Sequence, residues 1–152
     1  MPTIRELLSY RLHRVANLLS RGAEMRYRRE FGVSLWEWRT VALLGGALEP
    51  QSLNELARAA GMDKSQMSRV VAGLTKKKIV VRETDANDAR GIRLSLTRAG
   101  KALYLKLIGA AAERNDAFLG CLTAKERTAL EAIMTKLAQE ARSFIQQEKG
   151  AP

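Results

Sequence analysis

The sequence predicts a mainly α fold with one small β-hairpin, an α+β arrangement, and three observations carry it. Apolar residues recur at helical spacing along most of the 152 residues. Polar start signals, a Ser, Thr or Asp followed three residues later by Glu or Gln, punctuate those stretches. Two short β-like runs, residues 80–83 and Ile92–Leu96, flank a polar connection that carries Asp85, Asp88, Arg90 and Gly91.

Each element follows in order. From Ile4 onward, Leu7, Leu8, Leu12, Val15, Leu18 and Leu19 keep one helical face, and Gly32 ends the segment. Ser34 with Glu37 opens a second helix, "LWEWRTVALL", which stops at Gly45 and Gly46. Pro50 and Ser52 mark a turn, and Ser52 with Glu55 starts the short helix "LNELARAA". Gly61 breaks it, and Asp63 with Gln66 starts "KSQMSRVVAGLTKKK". The hairpin follows. Thr97 caps a long helix from about Arg98, and Thr123 with Glu126 caps the last one, striped by Leu130, Ile133, Met134, Leu137, Ala141, Phe144 and Ile145. The predicted order is α-α-α-α-β-β-α-α.

Composition bounds the function classes. A hydrophobic content of 46% with only 3 Pro argues for a folded domain with a real core. No apolar run is long enough to span a bilayer, and Glu6 with scattered Arg interrupts the start, so neither a membrane span nor a secretory leader is expected. One cysteine, Cys121, fits a reducing cytoplasm, and a single histidine argues against His-based metal sites. No phosphate loop, metal-ligand spacing or nucleophile–base set stands out, so no enzyme, cofactor or metal is expected. The net charge is +10, and residues 61–101 alone carry ten Lys and Arg against four Asp and Glu. Charge concentrated in this way points to a polyanionic partner.

That basic segment contains the stretch "LNELARAAGMDKSQMSRVVAGL". Ala57 is small where two helices must cross, and Gly61, four residues on, permits a left-handed turn. Leu56, Met62, Met67, Val70 and Leu74 supply apolar contacts between the helices. Lys64, Ser65, Gln66, Ser68 and Arg69 then remain on the outer side of the second helix, near the end that enters the major groove in a helix-turn-helix. Gln suits adenine, Arg suits guanine, and Ser suits base or phosphate. Lys76, Lys77 and Lys78 follow directly. A hairpin after such a helix is a wing. Arg90 at its tip reaches the minor groove, with Asp88 two residues away to orient the guanidinium and Arg93 on the second strand. The competing reading is a surface salt bridge on a solvated loop.

At these residues a resemblance becomes clear. "DARGIRLSLTRAG" resembles the signature D-x-R-x-x-x-L-x-L-T-x-x-G of the MarR family of winged helix-turn-helix transcription regulators. "MDKSQMSRVVAGLTKKKIVVRE" is similar to that family's recognition helix and first wing strand. The resemblance implies a homodimer on double-stranded, pseudo-palindromic operator DNA, a repressor released by a small-molecule signal. Residues 1–32 and 98–148 would be dimerisation helices, and 33–97 the DNA-binding lobe. It assigns Asp88 and Arg90 the wing roles and Ser65, Gln66, Ser68 and Arg69 the groove contacts. One departure is Lys78, where the family usually has Gly; it either strains the helix end or adds a phosphate contact.

The resemblance also implies a ligand pocket near the second helix. Trp36, Arg39 and Leu43 share one face there, while Trp38, Val41 and Ala42 occupy the more core-like side. A Trp beside an Arg suits a flat aromatic carboxylate; a core Trp beside an acid-paired Arg is the alternative. Arg11 falls in the apolar stripe of the first helix, which is costly without an anionic partner. His13 points away from that stripe, toward pocket or surface. Cys121 reads as a small packed residue rather than a redox sensor. The expected protein is cytoplasmic and nucleoid-associated. A nucleoid-type DNA binder without an effector is the second reading.

Overall fold

The structure, a computed structural model, describes residues 1–84 and 91–150. A short 3-10 turn, Ile4–Glu6, precedes α1 (Leu8–Phe31), and α2 (Leu35–Gly46) follows. Next come β1 (Gln51–Ser52), α3 (Leu53–Ala60), α4 (Lys64–Lys76), β2 (Val80–Thr84) and β3 (Ile92–Leu96). Two long helices close the chain, α5 (Arg98–Leu119) and α6 (Ala124–Gly150). The protein is therefore mostly helical with a small antiparallel sheet ordered β1-β3-β2. Two compact units result, Met1–Ala111 and the segment from Ala112 onward.

The start signals act as their spacing predicts. Ser34, Ser52 and Thr123 each accept a hydrogen bond from the N–H three residues on, and each receives the Glu carboxylate of that residue at its own N–H. Asp63 accepts from Gln66 N at 2.8 Å and opens α4. Gly61 sits at φ 66°, and Met62 N donates to Ala57 O across the turn, which closes α3 and aims α4.

Three features differ from the sequence expectation. The first helix does not run continuously from Ile4: Glu6 caps Thr3, and Leu7 at ψ 135° separates the 3-10 turn from α1. Residues 51 and 52 are a short edge strand rather than only a turn, with Gln51 opposite Leu94 and Ser52 opposite Arg93. Cys121 is exposed, its Sγ 3.1 Å from Phe118 O, because it lies in the turn after α5 rather than beneath it.

The core of the first unit joins α1, α2 and the helix-turn-helix. Tyr27 of α1 is fully buried, with its ring centroid 4.9 Å from that of Trp38 on α2. Thr40, also fully buried, donates to Trp36 O and touches Met67 of α4. Beneath the sheet, Thr97 Oγ1 donates to Lys78 O at 2.7 Å and accepts from Gly100 N at 3.0 Å. A Cβ at Gly100 would lie 2.2 Å from Ile79 O. The Thr and Gly that end the wing signature are thus the joint by which α5 closes on the root of β2.

Candidate nucleic-acid interface and ligand pocket

Helix α4 has two opposed faces. Met67, Val71 and Leu74 are fully buried and fix it against α2 and α3. Ser65, Arg69, Ala72 and Lys76 are exposed at spacings of four, three and four, which is one continuous stripe on the other side. Gln66 is exposed beside the stripe, Lys64 is exposed on its far flank, and Ser68 is half-buried at its edge. Ala72 is the member that sequence reasoning missed. Its signal was available: it lies seven residues after Ser65 and three after Arg69.

The three consecutive lysines at the end of α4 have different surroundings. Lys77 Nζ lies 2.6 Å from Glu37 Oε1 and ties the end of α4 to the start of α2. Burial raises the Glu37 carboxyl, but the Lys77 ammonium and the Ser34 N–H outweigh it and hold its pKa below the ordinary 4.5. Lys76 and Lys78 are exposed. Lys78 has φ 59°, the left-handed conformation that glycine adopts more easily. Ile79 N donates to Leu74 O and Lys78 N to Thr75 O, the paired bonds of a left-handed helix stop. The departure from Gly at this position leaves the exit geometry intact.

In the wing, β2 and β3 pair over five positions, from Val80 opposite Leu96 to Thr84 opposite Ile92. Asp88 and Arg90 lie outside the described residues. Arg93 faces Glu83 across the ladder, and its guanidinium is 3.0 Å from Glu55 Oε2. Glu55 is the acid of the Ser52 capping box, and hydrogen bonds from Ser52 backbone and side chain lead the lowering of its pKa. The pair links the wing to the first helix of the helix-turn-helix, 38 residues away, a separation no local pattern reveals.

The four pocket candidates do not converge. The Arg39 guanidinium carbon is 4.9 Å from the Trp36 ring centroid, and Nη2 donates to Ser20 Oγ of α1 at 3.1 Å. Trp36 is 37% exposed, so it is not a core residue, and Arg39 has no acidic partner among the described residues. Arg39 also lines a cavity of about 320 Å³ with Trp38, Ala42, Leu43, Ala59 and Ala60. Arg11 and His13 lie nine and seven residues before Ser20, roughly 10–14 Å away along the axis of α1. Both are exposed, and His13 Nε2 accepts from Asn17 Nδ2 at 2.8 Å. Arg11 therefore bears no burial penalty within this chain, since the apolar stripe around it is itself exposed.

Among the described residues, no three His, Cys, Asp or Glu side chains gather as a metal site, and no helix is long and apolar enough to cross a membrane.

Comparison with known proteins places the chain. A family model described as "MarR family" matches residues 31–91, from the end of α1 to the residue before β3. The transcriptional regulator FarR of Neisseria gonorrhoeae is 30% identical over 105 residues, covering 68% of this chain and 70% of FarR. The transcriptional repressor NicR of Pseudomonas putida is 30% identical over 88 residues, which span 58% of this chain and only 56% of NicR. A MarR/EmrR family transcriptional regulator from Acinetobacter sp. ADP1 superposes with a TM-score of 0.85 at 26% identity, covering 93% of this chain and 99% of that one. With the helix-turn-helix, the paired strands β2 and β3 and the Thr97–Gly100 joint all in place, the chain belongs to the MarR family of winged helix-turn-helix transcription regulators.

Proposed function

We propose that the chain is a sequence-specific double-stranded DNA-binding repressor, released from a pseudo-palindromic operator by a small-molecule effector. The observation that carries this reading is the stripe of Ser65, Arg69, Ala72 and Lys76, set opposite the buried Met67, Val71 and Leu74. A helix anchored on one side and polar on the other can lie in the major groove without disturbing the core. Arg69 suits guanine and Gln66 adenine, while Ser65 and Ser68 suit base or phosphate. Ala72 keeps the middle of the stripe low enough for close approach. Lys64 and Lys76 contact phosphates. Arg90 enters the minor groove with Asp88 orienting it, as the wing signature implies. Arg93, held by Glu55, braces the wing against α3.

The regulator acts as a homodimer through 1–32 and 98–148, with 33–97 as the DNA-binding lobe. Two-fold symmetry then sets two half-sites about 34 Å apart. For the effector, Arg39 supports an aromatic carboxylate: it is a cation stacked on Trp36, without an acidic partner among the described residues, at the edge of an apolar cavity. Arg11 and His13 belong to this ligand set only if the partner subunit supplies them.

Binding of the DNA flanking the chain's own gene, compared with random duplex at fixed salt, tests the reading. A preference of at least about a thousandfold is expected. Equal affinities would replace it with the nucleoid-type alternative.

A further inference from the structure

A larger cavity, about 530 Å³, opens at the other end of α2. Its walls come from the last turn of α2, the connection to β1, the strand β3 and the first turns of α5. No residue of α1 or of the Trp36–Arg39 face takes part. From Arg39 to Gly45 is six residues, roughly 9 Å along α2.

The sequence makes a concession to build this wall. Gly45 lies within α2, where glycine is a poor helix residue. A Cβ there would meet the Tyr104 ring at 2.4 Å, so only glycine lets that ring lie against the helix backbone. Tyr104 thereby becomes one wall of the cavity, and Leu44, Leu94, Leu96 and Leu105 complete an apolar lining.

Its polar groups are unspent. Lys101 and Tyr104, three residues apart on α5, stand on one side of the cavity, and Glu49 also lines it. Among the described residues Lys101 and Glu49 make no ion pair, with each other or with any other group. Among the described residues Tyr104 Oη likewise has no hydrogen-bond partner. The first turn of α5 contains no acid, so the positive end of the helix adds to the Lys101 charge. An apolar slot with a cation and a hydroxyl donor at one place and a separate carboxylate at another selects a particular kind of molecule. It has a carboxylate, a flat apolar body and a hydrogen-bond donor apart from the carboxylate.

We propose that this cavity is a second ligand site of the regulator, which takes a small aromatic acid bearing a separate N–H or O–H donor. The carboxylate meets Lys101 and Tyr104 Oη, the ring lies on the leucines, and the donor meets Glu49.

Indole-3-acetate has this pattern, and calorimetric titration of the full chain tests the site. The titration uses Arg39→Met, which disarms the pocket beside Trp36. Saturable binding at one molecule per chain is expected. Adding Lys101→Met should weaken it about tenfold or more, as loss of a charge-assisted contact does. Tyr104→Phe should weaken it severalfold, and naphthalene-1-acetate, which lacks the N–H, should bind about tenfold more weakly than indole-3-acetate. Lys101 is exposed, so its replacement leaves the fold intact. Absence of saturable binding at millimolar ligand overturns the proposal. So does an affinity that Lys101→Met leaves within about twofold. The readout is ligand binding alone, so its failure leaves operator recognition standing, and the converse holds.

Discussion

Lys78 holds a backbone conformation that a glycine would hold more cheaply, beside two other lysines at the exit of the recognition helix. Lys78→Gly should raise the unfolding free energy by about 1 kcal/mol, read as a higher urea midpoint. If the lysine is kept for a phosphate, the same variant should bind operator more weakly and lower the salt slope by about 1. Unchanged DNA binding would leave its charge without a use. Its neighbour Lys77 is bound to Glu37, whose carboxyl is held below 4.5. A depressed carboxylate contributes stability that is present above its unfolded pKa and lost as pH falls through the folded value. Glu37→Gln keeps the capping hydrogen bond but not the charge. It should therefore cost about 1 kcal/mol at pH 7, after screening at the exposed lysine. That deficit should shrink below pH 4.5, as urea midpoints across the acid range would record. Arg69 reads a base edge in the proposed complex, so Arg69→Ala should cost about 1–3 kcal/mol on the operator and less on random duplex.

At the scale of elements, the joint between sheet and α5 carries the sharpest steric demand. Gly100→Ala puts a methyl 2.2 Å from Ile79 O, a backbone atom that cannot swing aside. A loss of about 2–4 kcal/mol is expected, with weaker operator binding because β2 and β3 lose their anchor. Thermal melting and an operator titration would check both. The same joint shows what is legible in a sequence. Capping at Ser34, Ser52, Asp63 and Thr123 acts within three residues, so spacing alone reveals it. The two faces of α4 follow from helical periodicity. The strand β1 does not, because two residues carry no alternation. The Glu37–Lys77 and Glu55–Arg93 pairs join residues 40 and 38 apart, and only the folded chain brings them together. Grouping Arg11 and His13 with Trp36 and Arg39 meets the same limit: shared chemistry in a sequence does not specify distance in a fold.

The molecule as a whole leaves its end helices unfinished. On α1, Leu8, Leu12, Val15 and Leu19 form an exposed stripe at four-three-four spacing, with Leu12 48% and Val15 54% exposed. In the second unit, α6 buries no residue and exposes Leu130, Ile133, Met134, Phe144 and Ile145. Apolar surface of this extent marks an interface, and a second copy of the chain supplies the same stripes by symmetry. Because Leu12 and Val15 are already in water within one chain, replacing both by Glu should barely change the fold of that chain. The pair should instead break the dimer. Sedimentation at micromolar concentration should give a dimer for the native chain and a monomer for Leu12→Glu/Val15→Glu. The monomer keeps its recognition helix but reaches only one half-site. It should lose the benefit of linkage, about 10²–10⁴ in operator affinity, and about half of the salt slope. Affinity for an isolated half-site should stay within about threefold of the native value, since each lobe retains its own contacts. A native chain that sediments as a monomer and still prefers a two-half-site operator would refute symmetric recognition. A double variant that loses half-site binding as well would show that the stripe serves the fold of one chain.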